Sequence, residues 1–251
     1  MPAIASLYRY PVKGFSPEPL DGADLRPFHR FEGDRVYAVE NGPSGFDPDA
    51  PGYLPKAKFL CLMKNARLAA LETHFDHATH VWTIDGHGER FSADLSDPAG
   101  RAVVEAFLSD FMGEERRGPL KVLSAPGHAF TDVGKPYVSF INLASVEAIG
   151  GMVGKPVDPL RFRANINLSG LAPWQELDLV GREARIGTAR VRFTKRTQRC
   201  AATNVDLATA TRDLDIPKTL LRELDHMDCG IYAEVTEGGA LRVGDTLRLE
   251  G

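Results

Sequence analysis

The second half of the chain consists of short segments that alternate apolar and polar residues, and this pattern constrains the fold more than any other feature. Alternation with a period of two is typical of β-strands that bury one face. The segments are LKVLSA, YVSFINL, FRANINL, REARIG, ARVRFTK, IYAEV and LRVGDTLRL. Many short strands at close spacing predict a barrel. Residues 236–240 are predicted to join the last two strands, and 145–152 and 217–224 to form short helices at the ends of the barrel.

The first half mixes strand and helix patterns. Residues 3–10 and 35–40 alternate as half-buried strands do. The spacing of apolar residues predicts a helix from Lys64 to Phe75, followed by a hairpin over 81–91 that turns at Asp85–Gly86.

A further helix is predicted to begin after Asp97, because an N-cap residue is followed there by proline. Gly113 is expected to end it. Its apolar face consists of Val103, Val104, Phe107, Leu108 and Phe111.

A charged, glycine-containing stretch, GEERRGP at 113–119, divides these two patterns. Such stretches are typical of domain boundaries. We therefore predict an N-terminal mixed α/β domain over 1–113 and a β-barrel domain over 119–251. The fold class is α+β, mostly β.

Composition excludes several classes of protein. Of the 251 residues, 43% are hydrophobic and 25% are charged, which is ordinary for a globular chain and not for a disordered or collagen-like one. The net charge of -4 provides no general attraction to nucleic acid or anionic lipid. No signal-like or membrane-spanning run occurs, and three widely separated cysteines suit a reducing cytoplasm.

Residues 41–55, NGPSGFDPDAPGYLP, are too rich in proline and glycine to form a helix or strand. Long loops in compact domains are often lids or binding loops. This loop lacks the GK[ST] ending of a nucleotide-binding P-loop. We expect it to border the entrance of the active site.

Cys200 lies in the most distinctive segment of the chain, TKRTQRCAATNVDLATATRD at 194–213. Four cations flank it in the sequence: Lys195, Arg196, Arg199 and Arg212. Neighbouring positive charge favours the thiolate, the form of cysteine that attacks electrophiles or binds soft metals. A basic strand that ends in a small buried residue is the structural alternative.

Four segments, in order and spacing, resemble the MOSC-domain proteins, in the branch that contains the amidoxime-reducing components. RCAATNVD at 199–206, with Thr209 and Arg212–Asp213 beyond it, resembles the cysteine motif of that branch. YPVKG at 10–14, DPLRFRANI at 158–166 and GDTL at 244–247 resemble its N-terminal signature, arginine-rich turn and closing strand. The resemblance spans nearly the whole chain and implies a MOSC-type closed barrel with an N-terminal MOSC-associated domain.

The resemblance implies a molybdenum cofactor, a pterin dithiolene that holds Mo, with Cys200 as a further sulfur ligand to the metal. It assigns cofactor binding to the motif residues, because arginine fits phosphate oxyanions bidentately and amides and hydroxyls fit the pterin edge. The cofactor-binding candidates are Lys13, Gly14, Arg35, Asn142, Ser145, Arg161, Arg163, Asn165 and Arg199. Asn165 and Asn167 are expected on the same strand face as Arg163. The catalytic candidates are Cys200, Thr203, Asn204 and Asp206.

Structural roles remain open for several of these candidates. Ser145 could cap a helix, Asp206 could cap a turn, and the Arg161–Arg163 stretch could be the polar side of an edge strand. Lys13 and the Asp34–Arg35 pair could be a solvated lysine and a surface ion pair. Cys61 and Cys229 lack cationic neighbours in the sequence, and we interpret both as core residues.

Three positions depart from the family pattern. Gly14 stands where amidoxime reducers often carry serine, while Leu207 and Ala210 stand where proline and glycine are commoner. A different shape is therefore expected for the turn after Asp206.

The function implied is reduction of N-hydroxylated or N-oxygenated compounds of the amidoxime type, with the cofactor supplying the redox step. The chain contains no flavin, haem or iron–sulfur motif, so a separate electron-donor protein of one of these kinds is expected. Two other functions remain open: a sulfur carrier or cofactor-handling module that uses a Cys200 persulfide, and a cofactor-binding protein without catalysis.

His74, His77 and His80 have a spacing that raises the possibility of a metal site. Histidines at a helix C-terminus also complement the helix dipole without any metal. The dipole interpretation is the favoured one.

Overall fold

The structure is a computed structural model that describes residues 1–250. The first 123 residues form eight strands and one helix, with the bounds β1 Ala3–Arg9, β2 Glu18–Leu20, β3 Gly22–Leu25, β4 Ala38–Asn41, β5 Glu72–Phe75, β6 Val81–Gly86, β7 Glu89–Asp94, α1 Pro98–Met112 and β8 Leu120–Leu123.

The remainder forms seven strands and two helices. Their bounds are β9 Tyr137–Asn142, α2 Leu143–Val153, β10 Ile166–Ser169, β11 Glu183–Ile186, β12 Ala189–Gln198, α3 Ile216–Leu224, β13 Asp228–Glu237, β14 Gly239–Arg242 and β15 Leu247–Leu249. The 3-10 turns that concern the site are Lys56–Lys58, Pro159–Phe162 and Ala201–Asn204.

An eight-stranded sheet organises the molecule, in the order β15-β11-β12-β13-β9-β10-β1-β2. All neighbouring pairs are antiparallel except β9 with β10. The sheet curls into a half-barrel, and backbone bonds such as Leu247 N to Pro2 O and Ile4 N to Asp245 O join β15 to β1. The mostly β, α+β class predicted from the sequence is confirmed.

Apolar residues of alternating positions on these strands fill the inside of the curled sheet. Phe140 of β9 and Phe193 of β12 meet there edge-on, with ring centroids 5.5 Å apart, and neither is exposed. The polar residues between them lie on the other face, as the period of two requires. That other face forms part of the cleft described below.

A second apolar core lies in the first half of the chain, between the three-stranded sheet β5-β6-β7, α1 and the β4–β8 pair. Trp82 is its largest buried side chain and contacts Phe15 at 4.8 Å between ring centroids. Val205, from the cysteine segment, is also buried in this core. The first half of the chain therefore supports the segment that carries Cys200.

The predicted helix over 64–75 is wrong. Residues Ala66–Ala70 form a 3-10 turn and Glu72–Phe75 form strand β5. Leu68, Leu71 and Phe75 are buried at the spacing expected of a helix face. The backbone of β5 is nevertheless hydrogen-bonded to β6 as a strand. The helix-like spacing of apolar residues therefore reflects only that all three side chains reach the core.

The hairpin over 81–91 turns at His87–Gly88 and not at Asp85–Gly86. Both turn residues have positive φ, 56° and 81°, as two-residue hairpin turns of the I′ type require. Helix α1 and its end at Gly113 are confirmed, but Val103 is 53% exposed and does not belong to the buried face.

Other sequence-based boundaries shift in the second half. Residues 162–165 are not a strand, because Arg163 is left-handed at φ 54° and β10 begins only at Ile166. Asn165 and Asn167 therefore share no strand face with Arg163. The final predicted strand is two strands, with Gly244 at φ 94° between them, and β14 pairs with β3 and not with β13. Strand β8, which follows the charged stretch at 113–119, pairs with β4 of the first half of the chain.

Candidate functional site

A cleft of about 280 Å³ lies where the two cores meet, with walls from both halves of the chain. The first half contributes residues around Lys13, Arg35 and Lys56, and the second contributes β9, β12, β13 and the turn around Arg161–Arg163. Its volume is near the lower end of the range for small-molecule sites.

Positive charge is concentrated in this cleft. Two acidic residues, Asp34 and Asp132, line it. The basic residues that line it number eight: Lys13, Arg35, Lys56, Arg161, Arg163, Lys195, Arg196 and Arg199. Since the whole chain carries a net charge of -4, the cleft is a local cationic site on an acidic protein.

Cys200 lies at the wall of the cleft, two residues after the end of β12 and at the N-cap of the 3-10 turn Ala201–Asn204. Its side chain is partly exposed, whereas Cys61 and Cys229 are buried. The Lys56 ammonium donates to Cys200 Sγ at 3.3 Å. Thr203 Oγ1 donates to the Cys200 carbonyl at 2.9 Å and fixes the backbone of the turn.

Lys56 also belongs to a network of charged side chains in the lining of the cleft. Its Nζ lies 3.3 Å from Asp132 Oδ2, while Lys13 Nζ binds Asp132 Oδ1 and the Phe130 carbonyl. Burial alone would lower the pKa of Lys56, but Asp132 and the Cys200 sulfur outweigh it and raise that pKa above its ordinary value. Burial would raise the pKa of Asp132, yet Lys13 and Lys56 hold it well below its usual range. Lys56 and Asp132 therefore both remain charged near neutral pH.

Arg35 and Arg163 both lie against the ring of Tyr10. Their guanidinium carbons lie 4.7 and 4.2 Å from the ring centroid. Arg35 pairs with Asp34 and donates to the Arg163 carbonyl at 2.9 Å, while Arg163 donates to the Phe15 carbonyl at 2.8 Å. Burial lowers the pKa of Arg163 to about 10, and burial raises the pKa of Tyr10.

Arg161 and Arg199 are anchored from the second half of the chain. Arg161 binds Asp206 at 2.6 Å and Asp213 at 2.7 Å. Arg199 donates to the carbonyls of Cys229 and Phe162, at 2.6 and 3.0 Å. These bonds fix each guanidinium group, while one nitrogen of each, Nε of Arg161 and Nη2 of Arg199, has no hydrogen-bond partner among residues 1–250.

Several residues that line the cleft carry a buried polar atom without a hydrogen-bond partner in the described part of the chain. Arg161 Nε, Arg163 Nη2, Arg199 Nη2 and Thr197 Oγ1 are buried, have no hydrogen-bond partner among residues 1–250, and belong to residues that line it. A buried donor without a partner costs about 1–3 kcal/mol. Four such atoms in one cleft fit a ligand rich in oxyanion and other acceptor atoms.

Asn165 and Gly14 line the same cleft. Asn165 Oδ1 accepts from Ser139 Oγ at 2.8 Å and its Nδ2 donates to the Tyr8 carbonyl at 3.2 Å. Gly14 has φ 90°, and a Cβ there would lie 2.8 Å from the Leu60 carbonyl oxygen. This contact explains why serine is absent at position 14.

Asn142 and Ser145 lie outside the cleft, contrary to their predicted role in cofactor binding. Both are fully buried. Asn142 caps α2 by accepting from Ala144 N at 3.1 Å, and both side chains donate to Glu176 Oε2, at 3.0 and 2.8 Å. Their polar atoms are committed to holding α2 against the Gln175–Leu179 turn.

Two of the four catalytic candidates do not line the cleft. Asn204 Oδ1 accepts from Ile216 N at 2.9 Å and fixes the start of α3. Asp206 accepts from the backbone of Ala208 and Thr209, at 3.0 and 2.9 Å, and binds Arg161. Asp206 therefore stabilises a turn and positions Arg161. Cys200 and Thr203 line the cleft.

Arg212 does not face the Cys200 sulfur. It donates to the carbonyls of Ala201, Leu62 and Met63 at 2.7–3.0 Å and so ties the cysteine segment to the first half of the chain.

Sequence reasoning missed Lys56, Asp132, Tyr137 and Tyr232 as cleft residues. Lys56 directly follows loop 41–55, which was expected to border the entrance, and Tyr53 of that loop contacts the Asp132 carbonyl at 3.4 Å. The position of Lys56 after this loop was the available signal. For the other three, only the folded arrangement brings them to the cleft.

The other predicted features have structural explanations. Cys61 is buried in the lining of the cleft, and Cys229 lies in the core below α2 and α3. Burial raises the pKa of both thiols, to about 12 for Cys229. His77 contacts Glu18 at 3.2 Å and His80 contacts the Tyr37 hydroxyl at 3.0 Å. No cluster of potential metal ligands occurs within residues 1–250, and no helix there could span a bilayer.

Comparison with known proteins finds a match to one family model, over slightly less than half of the chain. The model of the MOSC domain matches residues 128–248. Among solved structures, YiiM from Geobacillus stearothermophilus aligns at 24% identity and a TM-score of 0.37 over 45% of this chain, which spans only 54% of YiiM. The YUAD protein from Bacillus subtilis aligns at 14% identity and a TM-score of 0.46, over 99% of this chain and 96% of its own. No curated protein shows a significant match.

Proposed function

We propose that this chain, whose residues 128–248 match the MOSC domain model, binds the molybdenum cofactor in its cationic cleft and reduces N-hydroxylated compounds of the amidoxime type. The observation that carries the proposal is the joint presence, in one cleft, of an accessible thiol and a set of buried cations with free donor atoms.

The residues present fit the cofactor chemically. Its phosphate needs cationic donors, and Arg161, Arg163 and Arg199 each offer one unpartnered guanidinium nitrogen. Its pterin needs neutral donors and acceptors at the ring edge, for which Thr197 Oγ1 is free. Arg35 and Lys13 add positive charge from the first half of the chain.

Cys200 Sγ is the proposed protein ligand to the metal. Thiolate is the form of cysteine that coordinates soft metals. The Lys56 ammonium lies 3.3 Å from this sulfur and donates to it. Asp132, held by Lys13 and Lys56, keeps the ammonium in place.

When bound, the cofactor supplies the two-electron chemistry that removes oxygen from nitrogen. The chain itself orients the cofactor through the guanidinium groups and holds the Cys200 backbone through Thr203. The Lys56 ammonium lies beside the sulfur, and because its pKa is raised it keeps its proton and supplies positive charge at this point of the cleft. The electrons come from a separate donor protein.

A direct test is reduction of benzamidoxime to benzamidine, with reduced methyl viologen as electron donor and protein from a host that makes the cofactor. We expect turnover by the wild-type chain and at least about a 100-fold loss in Cys200→Ser, because oxygen is a poorer ligand for this metal. Cys229→Ala is the matched control, since that thiol is fully buried away from the cleft. Full molybdenum loading without turnover would contradict the reductase assignment.

The sulfur-carrier alternative makes a different prediction for the same sample. In protein without molybdenum, mass spectrometry that shows a stable adduct of about 32 Da on Cys200 would indicate a persulfide. That result would favour sulfur transfer over reduction as the function of this chain.

A further inference from the structure

One wall of the cleft is a row of side chains that crosses three neighbouring strands. Lys195 of β12 pairs with Tyr232 of β13, and Tyr232 pairs with Ser139 of β9. Tyr137 lies two residues before Ser139 and so on the same face of β9. All four residues line the cleft.

Two irregularities in β12 shape this row. The pairing of β12 with β13 shifts register between Phe193 and Lys195 and again between Arg196 and Gln198. An extra residue in a strand redirects the side chains beside it, and such bulges are common next to active sites. As a result Lys195 and Arg196, although consecutive, are both exposed and both line the cleft.

The tyrosines form an aromatic surface. The rings of Tyr137 and Tyr232 are 6.0 Å apart at their centroids and inclined by 31°. The Lys195 ammonium lies 5.6 Å from the centroid of the Tyr232 ring. A planar group that packs on Tyr232 would therefore place its edge near a cation.

The charges of Lys195 and Arg196 are free for a ligand. Asp34 is paired with Arg35, and Asp132 is shared by Lys13 and Lys56. Neither carboxylate of the cleft pairs with the two exposed cations. The unpartnered guanidinium nitrogens of Arg161, Arg163 and Arg199, which we assign to the cofactor phosphate, lie outside β12.

We propose that Lys195, Arg196, Tyr232 and Tyr137 form a substrate-recognition subsite for a planar aromatic group that carries a carboxylate. The ring packs on the tyrosines and the carboxylate binds the two cations, while the N-hydroxylated end of the substrate points toward Cys200. This inference rests on the proposed function, because it assigns the substrate class of the same cleft.

The test compares benzamidoxime with para-carboxybenzamidoxime in the holoprotein. We expect the wild-type chain to prefer the carboxylated substrate, and Lys195→Ala to reduce the ratio of the two kcat/KM values about tenfold, as the loss of one charge-assisted hydrogen bond implies. Lys195→Arg should restore the ratio. Lys121→Ala, an exposed lysine on β8 that does not line the cleft, should leave it unchanged.

Two results would overturn the proposal. Equal loss for both substrates would mean that the row has no role in selecting the carboxylate. A fall in molybdenum and pterin content in Lys195→Ala would mean that Lys195 binds the phosphate of the cofactor and not the substrate.

A failure of the proposed function would be recognisable separately. If the wild-type chain reduced neither compound, calorimetric titration with the two amidoximes would decide the subsite. At least about tenfold tighter binding of the carboxylated compound, lost in Lys195→Ala, would support the subsite. Equal binding of both compounds would overturn it.

Discussion

Arg163 contributes to the cleft through an unusual backbone conformation. Its φ of 54° ends the Pro159–Phe162 turn, and its side chain lies across the Tyr10 ring beside Arg35. Two guanidinium groups on one aromatic ring repel each other, and Asp34 offsets part of this repulsion. Such an arrangement is typical of an anion-binding site, because a bound oxyanion would offset the remaining repulsion between the two guanidinium groups.

At position 14 we expect substitution to serine to destabilise the protein. A serine Cβ would lie 2.8 Å from the Leu60 carbonyl oxygen, in addition to the strain of φ 90°. Gly14→Ser should cost at least about 1 kcal/mol more than Gly45→Ser in urea denaturation, and should also lower molybdenum content. Gly45 is the matched control because its φ is 80° but no atom lies within 4 Å of its Cβ position. Equal losses would show that the contact with Leu60 is harmless.

At the scale of single elements, the turn after Asp206 contains an alanine in the left-handed conformation, which glycine adopts more readily. Ala210 has φ 54°. We expect Ala210→Gly to stabilise the chain by about 1 kcal/mol and raise Tm by about 2–4 °C, because glycine adopts this conformation without strain.

Ala208→Gly is the control for this substitution. Ala208 is exposed in the same turn and lacks a positive φ, so glycine there should lower Tm through the entropy of the unfolded chain. A lower Tm for Ala210→Gly would contradict the account of this turn.

The Arg161–Asp213 pair links the arginine turn to the cysteine segment and should make stability depend on pH. Hydrogen bonding from the Arg161 guanidinium lowers the pKa of Asp213 from 3.8 to about 2. The stabilisation is therefore complete above about pH 4 and is lost as the pH falls through about 2. The difference in Tm between wild type and Asp213→Asn should shrink over that interval.

Asp24→Asn provides the comparison, since Asp24 is exposed and forms no ion pair within residues 1–250. A wild-type advantage over Asp213→Asn that stays constant from pH 5 to pH 2 would show that the pair does not carry this dependence.

At the scale of the whole molecule, the alternation of apolar and polar residues predicted the strands of the curled sheet. It did so because burial of one face requires an apolar residue at every second position of strands such as β12 and β13. The same reasoning failed for residues 64–75, where Leu68, Leu71 and Phe75 follow a helical spacing only because all three reach one core. Tertiary hydrogen bonds to β6 decided that segment, and no local pattern encodes them.

The cleft was predictable where residues belong to a contiguous motif and unpredictable where distant elements meet. Cys200, Arg163 and Arg199 were identified from their segments, whereas only folding brings Lys56 to the sulfur and Asp132 to Lys56. Asn142 was misassigned because a buried amide that caps a helix and one that binds a ligand look alike in sequence.

The most direct test of the central claim is the molybdenum and pterin content of purified protein, measured for the wild-type chain, Cys200→Ser and Cys229→Ala. The account predicts about one molybdenum and one pterin per chain in wild type and Cys229→Ala, and loss of most molybdenum in Cys200→Ser. Wild-type protein without molybdenum, or Cys200→Ser with undiminished molybdenum, would contradict it.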